Sequence, residues 1–571
     1  MPKHPSLQAL YRATRAFLRP SLSSPRLRQT VATRSFRTGH APNGGRARML
    51  NPVLLISGAG LGTGSIVYFC SSEADVPTTT GLPSIQYADT RGMLEAAKEI
   101  ESALGDDAVS FDEDEIGAHG YSDWSTSNSS GRAVAVVYPQ STEEVAMAVE
   151  ICYKHHVPIV PYGAGSSVEG NSSSPHGGIV INLARMNKVV AFHPEDMDVV
   201  VQPGVNWVDL NKEVASEELF LPLDPSPTAT IGGMVSTNCS GTNAFRYGTM
   251  KDWVVNVTVV LADGNQKIIK TRRRPRKTSA GYNLTSLFVG AEGTLGIVTE
   301  VTLKLAVIPK ETSVAVVSFP TLEQAAMGAA RIIRSGMQPA AMELMDDVQM
   351  RVVNQHGSPE VRAMNWDETP ALFLKFAGPS SEVIASDIAR VKALVSPYEP
   401  SRYVFATSKE EGLRIWAARK EALWTMISIK PEGHSIWSTD VAVPISRLAE
   451  IIQLSKTDAE KLGVFSSVVG HVGDGNFHQA IMYDPKDAAI TSAVQAAVHR
   501  MTDNALQMEG TVSGEHAIGI GKMQALVDEV GPETIEVMKM LKNSLDPKWI
   551  MNPGKVFELP KGSVPAAPTQ T

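Results

Sequence analysis

The chain has 571 residues, 43% hydrophobic and 20% charged, with a formal net charge of −8. That length exceeds one ordinary core, so two or more domains are expected, and 45 glycines with 35 prolines imply many loops that position other groups. The three cysteines, Cys70, Cys152 and Cys239, form no CxxC pair, which excludes a disulfide framework and a cysteine zinc site.

The first fifty residues hold ten Lys/Arg and no acid; the first acidic residue is Glu73. Without that segment 42 basic residues face 60 acidic ones, a net charge of −18. Such a body argues against nucleic acid as a partner and suits a cationic protein. The stretch "YRATRAFLRPSLSSPRLRQTVATRSFRT" is Arg- and Ser-rich and acid-free, the composition of a mitochondrial transit peptide, so residues 1–48 are read as a presequence. A disordered basic arm is the plainer alternative. Residues 49–72 are uncharged and long enough to cross a bilayer, although glycines at 58, 60, 62 and 64 weaken their apolarity. We read them as an inner-membrane sorting or anchor segment, against a plain linker. The body would then face the intermembrane space, or less readily the matrix. "GAGLGTG" within this segment has GxGxGxG rather than GxGxxG spacing and no surrounding βαβ unit, so it is not a dinucleotide fingerprint.

From residue 133 a strand over 133–138 is expected. Ser141 with Glu144 forms a capping-box pattern, and a helix should follow to about His155 with Val145, Ala148, Ile151 and Cys152 on one face. A second strand over 157–160 ends in "PYGAGSSVEGN", a small-residue loop whose backbone N–H groups can converge on an anion. Alone, that loop is equally readable as a plain turn. Two further small-residue loops are expected at 231–233 and 238–241, before a β-rich run ending in an Asp263-Gly264 hairpin turn. A third segment, "SLFVGAEGTLGIVTEVTLKL", leads from Glu292 into another strand.

In this order and spacing, the three segments resemble the vanillyl-alcohol-oxidase (PCMH-type) FAD-binding domain. The resemblance implies an α+β fold and places the FAD pyrophosphate on Gly163, Gly165, Ser166, Ser167 and Gly170, with Pro161, Ala164 and Asn171 as further cofactor contacts. It places Pro227, Thr228, Gly232, Gly233, Asn238, Ser240, Gly241, Tyr247 and Gly248 around the flavin, with Glu292 and Ile297 near the adenosine and ribose. Some relatives attach FAD through a histidine in the first loop; this loop has none, so non-covalent FAD is expected. The basic run "TRRRPRK" (271–277) is read as a solvated loop, with a landing surface for an acidic partner as the minor alternative.

Beyond residue 311 strands and helices alternate as in an α+β cap, and "LRIWAARKEALWTM" puts Trp416, Arg419 and Lys420 on a helix. "HVGDGNFH" then places His471 and His478 about a tight turn. "EGTVSGEHAIGIGK" follows a helix expected to end at Gly510, and carries Glu515 and His516. Two imidazoles and a carboxylate are a common divalent-metal set with positions left for substrate. On spacing alone, satisfied turn histidines and an exposed Glu-His pair remain open.

"GHVGDGNFH" and "GEHAIGIGK" resemble the C-terminal domain of FAD-linked D-2-hydroxyacid dehydrogenases. That resemblance, over residues 84–558, implies a divalent ion (zinc most readily, manganese as an alternative) on His471, His478 and Glu515. It also implies His516 as general base and Arg419 on the substrate carboxylate. The closing "WIMNPGKVFEL" resembles the segment that returns to the FAD domain, with Asn552 and Lys555 as contacts. The expected domains are 84–310 for FAD, 311–530 for the substrate and metal cap, and 531–558 for the returning segment. The implied substrate is a small D-2-hydroxy acid such as D-lactate, with D-2-hydroxyglutarate or glycolate as alternatives, and the implied electron acceptor at the inner membrane is cytochrome c. A membrane-tethered flavin-binding module without catalysis is the remaining alternative.

Overall fold

The computed structural model describes residues 82–563 apart from Pro83, Asp123, Trp124 and Thr126. The presequence, the apolar segment at 49–72 and Cys70 lie outside the described residues. Among the described residues no helix is long and apolar enough to cross a membrane.

The N-terminal half begins with β1 (Val109–Ser110), β2 (Ala135–Val137), β3 (Ile159–Tyr162) and β4 (Ile179–Asn182). They form one sheet in the order β1-β2-β4-β3, with β2, β4 and β3 parallel. Between β2 and β3 runs the expected helix, Thr142–His155. The Ser141 side chain accepts the Glu144 N–H at 3.1 Å. The Glu144 carboxylate accepts the Gln140 N–H at 2.8 Å, one residue earlier than a strict capping box. Its apolar face buries Val145, Ala148 and Cys152 completely against the sheet. Ile159, Ile179 and Ile181 are equally dry, and each such side chain stabilises the fold by roughly 1.5–3 kcal/mol.

The end of the chain extends this sheet. Ile159 N–H donates to the Ile550 carbonyl and Asn552 N–H to the Ile159 carbonyl, both at 2.7 Å. Buried Lys542, on the helix Pro532–Leu545, secures the segment: its Nζ donates to Asp546 at 2.5 Å and to the carbonyls of Thr294 and Met551 at 2.6 Å.

Next come β5 (Val189–His193), β6 (Asp198–Val201), β7 (Leu219–Phe220), β8 (Val254–Val260), β9 (Ile268–Lys270), β10 (Ile297–Lys304) and β11 (Ala306–Val307). Five make an antiparallel sheet ordered β5-β6-β10-β8-β9, and β7 pairs with β11. The Asp263-Gly264 turn joins β8 to β9, with Gly264 at φ 76°. One expectation is corrected: residues 231–233 are not a loop but the first turn of the helix Ile231–Thr237, whose buried Ile231, Met234 and Val235 supply helical rather than extended spacing. In the basic run, Arg274 pairs with Asp196 at 2.6 Å and Asp198 at 2.9 Å, so part of that charge braces the preceding turn.

The cap contains β12 (Glu311–Ser318), β13 (Ala341–Met345), β14 (Ala371–Gly378), β15 (Arg402–Phe405), β16 (Ser435–Ser438), β17 (Val441–Ala442), β18 (Phe465–Gly470) and β19 (Asn476–Tyr483). The sheet order is β15-β12-β14-β13-β18-β19-β16, with β17 also on β19. Strand alternation sends Met342, Leu344, Leu372 and Leu374 to one face, under the helices Leu322–Arg334, Ser381–Val395 and Leu448–Leu462. Ala341, Met345 and Phe373 face the other way, against Ile415 and Trp416 of the helix Lys409–Lys420. Glu343 lies between Ala341 and Met345 on this second face and is 1% exposed.

Candidate active site

β18 and β19 form a hairpin in which Val469 stands opposite His478. Val469 and His471 are two residues apart, so pleating sends His471 and His478 to the same face. The turn between them is closed by the Asp474 N–H donating to the His471 carbonyl at 2.8 Å. Gly475, at φ 87°, passes so close to Val443 that a Cβ would meet its carbonyl at 2.7 Å.

Glu515 and His516 arrive from a distant loop. The preceding helix ends at Gln507, three residues before Gly510, because Glu509 turns left-handed (φ 62°). Asp440, fully buried beside β17, then gathers the loop: its Oδ2 accepts from Glu515 N–H at 2.7 Å, His516 N–H at 2.9 Å and Ser513 Oγ at 3.2 Å. Glu292 holds the loop's far side, accepting from Ile518 N–H at 2.8 Å and Gly519 N–H at 2.9 Å.

Glu515 Oε1 therefore sits 3.2 Å from His471 Nε2 and 3.0 Å from His478 Nε2. One ligand atom from each of the three residues falls within 4.8 Å of the others. Both opposite ring nitrogens are occupied: His478 Nδ1 by the Thr439 carbonyl at 3.1 Å, His471 Nδ1 by Glu343 at 2.8 Å. Anchored Nδ1 atoms and convergent Nε2 atoms are what an N/O divalent ion requires, so the residues present fit one. Ser240 Oγ, from the small-residue loop at 238–241, hydrogen-bonds the other Glu515 oxygen.

Burial opposes charge at these groups, but their mutual attraction outweighs it. Glu343 and Glu515 raise His471 well above the usual imidazole range, and His471 holds Glu515 well below the usual carboxylate range. His516 differs. It stacks on His478 at 4.8 Å, burial pushes it down to about 4, and its Nδ1 has no protein partner. Its imidazole is therefore uncharged at neutral pH. Arg419, one helical turn after Trp416, does not stand free: Nε and Nη2 contact Glu343 Oε2 at 2.9 and 2.8 Å, which leaves Nη1 for a further anion.

The first glycine-rich loop (163–171) leaves the C-terminal end of β3 and contains Gly163, Ala164, Gly165, Ser166, Ser167, Gly170 and Asn171; Pro161 lies within the strand, next to its last residue Tyr162. Thr230 Oγ1 is buried without a partner and lies between this loop and Gly233; a Cβ would stand 2.8 Å from it on Gly163 and 3.9 Å on Gly233. Asn171 Oδ1 is also unpartnered, while its Nδ2 donates to Glu292 at 2.5 Å. Unmet polar atoms around side-chain-free backbone fit a phosphate-bearing cofactor. Other predicted contacts face the protein. Gly232 packs on Pro203 and Gly241 on Asp224. Asn238 Oδ1 accepts the Lys251 N–H at 2.9 Å, and the Tyr247 ring packs on Phe220 and Trp253. Ile297 is a core residue of β10. Asn552 Nδ2 donates to the Glu292 carbonyl at 2.7 Å and Lys555 Nζ to the Ser173 carbonyl at 2.6 Å, so both support the cradle from behind. Pro227 and Thr228 are exposed, the Pro227 carbonyl accepting from Asn206 Nδ2 at 2.9 Å.

Sequence reasoning missed Glu343, Asp440, Glu169 and Lys522. Glu343 carried a usable signal, a lone acid in the apolar run "AAMELM". Lys522, within the quoted "GEHAIGIGK", links Asp440 (carbonyl, 3.1 Å) to Glu169 (3.2 Å), whose carboxyl burial raises to about 7.

Residues 133–270 match a family described as FAD binding domain, and residues 308–556 match FAD linked oxidases, C-terminal domain. The chain is 40% identical over 525 residues to the mitochondrial D-lactate dehydrogenase (cytochrome) of Kluyveromyces lactis, covering 88% of this chain and 90% of that protein. It is 42% identical to the corresponding Arabidopsis thaliana protein, over 81% of this chain and 80% of the relative. The solved structure of p-cresol methylhydroxylase with substrate bound superimposes with a TM-score of 0.69 at 18% identity, over 83% and 98% of the two chains. The fold is thus the PCMH-type α+β arrangement, and the protein binds FAD.

Proposed function

The chain belongs to the FAD-linked oxidases, within the group of the D-lactate dehydrogenases (cytochrome), and we propose that it oxidises D-lactate to pyruvate and passes the electrons to cytochrome c. The observation that supports this most directly is the convergence of His471, His478 and Glu515 within 4.8 Å, with neutral His516 stacked beside them.

When bound, FAD would supply the hydride acceptor, and a divalent ion held by His471, His478 and Glu515 would supply a Lewis acid for the substrate's α-hydroxyl. His516 accepts the hydroxyl proton on its imidazole; its unpaired Nδ1 is the available atom. Arg419 fixes the substrate carboxylate through Nη1 by a charge-assisted hydrogen bond. Asp440 keeps Glu515 and His516 facing the substrate by holding their backbone N–H groups. FAD is held non-covalently by the loop at 163–171 and by Gly233.

Cytochrome c as acceptor fits a body of net charge −18, since opposite charge accelerates encounter and the advantage fades with salt. The basic, acid-free residues 1–48, together with relatives named mitochondrial, support a mitochondrial address, and residues 49–72 support inner-membrane association on the intermembrane-space side. The test is ferricytochrome c reduction by the purified protein with D-lactate, L-lactate, D-2-hydroxyglutarate and glycolate. D-lactate should give the highest kcat/KM, and equal rates on the two lactates would refute the reading.

A further inference from the structure

Glu343 is an isolated carboxylate in a wholly buried strand. Burying such a charge costs several kcal/mol unless charged partners surround it, so its partners identify its use. Its two oxygens serve different clients. Oε1 is 2.8 Å from His471 Nδ1, and Oε2 takes both Nε and Nη2 of Arg419 at 2.9 and 2.8 Å. Rotation toward either client would abandon the other. The contact with Nδ1 commits His471 to presenting Nε2 toward Glu515, and the fork contact with Arg419 directs Nη1 away from the sheet.

We propose that Glu343 is a positioning residue that couples the metal-binding arm of the site to the carboxylate-binding arm. The proposal rests on the reading of His471 as a metal ligand and Arg419 as the substrate's anchor. Its consequence is specific: each arm should respond to a change confined to the other, because one rigid carboxylate orients both. A carboxylate that merely filled space in the sheet would link nothing.

The test uses the full FAD-bound protein. Zinc affinity is measured by chelator competition, without substrate, for the wild type, Glu343→Gln and Arg419→Gln. Glu343→Gln should weaken zinc about 10–100-fold. Arg419→Gln, whose side chain touches no metal ligand atom, should still weaken zinc about fivefold or more. At saturating zinc, Glu343→Gln should raise the KM for D-lactate on the order of tenfold, with a smaller change in kcat and an unchanged FAD spectrum. Zinc affinity in Arg419→Gln within twofold of wild type overturns the proposal, and so does an unchanged KM in Glu343→Gln. If the wild type is not reduced by D-lactate, the substrate reading falls, and the zinc titrations alone decide whether Glu343 couples Arg419 to the metal arm.

Discussion

The hydroxyl of Ser240 hydrogen-bonds the carboxylate of Glu515 across 275 positions of sequence. A residue of the second glycine-rich segment thereby touches a candidate metal ligand, which joins the segment assigned to the flavin to the proposed metal site. Glu292 repeats the link, since its carboxylate holds Asn171 of the first loop and the N–H groups of Ile518 and Gly519.

His516 should carry the proton transfer. His516→Gln keeps the shape of a polar planar group but cannot act as a base. Stopped-flow reduction of the flavin by D-lactate should slow by about 10²–10⁴-fold, with FAD and metal contents unchanged. A loss below threefold would remove His516 from the chemistry.

Gly233 separates protein stability from cofactor binding. A Cβ there meets nothing closer than Thr230 Oγ1 at 3.9 Å, and alanine suits a helix better than glycine by about 1 kcal/mol. Gly233→Ala should leave the apoprotein as stable as the wild type, or slightly more stable, while its affinity for FAD falls. Thermal unfolding of the apoprotein and FAD fluorescence titration read the two effects separately.

Lys542 and Asp546 form a buried pair that anchors the returning C-terminal segment. Lys542→Met removes the cation beside Asp546, leaving its buried carboxylate only the Ile550 and Met551 N–H groups, and should cost about 3–5 kcal/mol. Denaturant unfolding measures the loss. Protease digestion should find the segment near Trp549 newly accessible.

Glu169 makes stability depend on pH. Burial raises its carboxyl from the usual 4.5 to about 7 in the folded protein, so the folded state binds the extra proton between those values. The associated stability is complete below about pH 4.5 and is lost as pH rises to about 7, amounting to roughly 3 kcal/mol. Glu169→Gln cannot lose it. The stability difference between variant and wild type should therefore shift in the variant's favour across that interval and stay level above it; a difference independent of pH would contradict the assignment.

What could be read from sequence followed the range of the interaction. The unit β2–helix–β3 was legible because Ser141, Glu144 and the buried face from Val145 to Cys152 are local. The helix at 231–237 was misread as a loop because Gly232 and Gly233 hid the spacing of Ile231, Met234 and Val235. His471 and His478 could be paired across one hairpin, but their approach to Glu515 needed the resemblance to a family. Glu343 stood out only as a lone acid in an apolar run, and neither it nor Asp440 could be given partners, since those lie 128 and 75 residues away. A separation of 76 residues likewise hid the contact of Arg419, expected on the substrate carboxylate, with Glu343.

The central claim is tested most directly by anaerobic titration of the FAD-bound protein with D-lactate, following the flavin band near ~450 nm, which reduction bleaches. The account predicts bleaching with D-lactate but not L-lactate, lost after chelation and restored by zinc or manganese. Bleaching by D-2-hydroxyglutarate or glycolate alone would contradict the substrate. Bleaching that survives complete removal of metal, verified by elemental analysis, would contradict the role given to His471, His478 and Glu515.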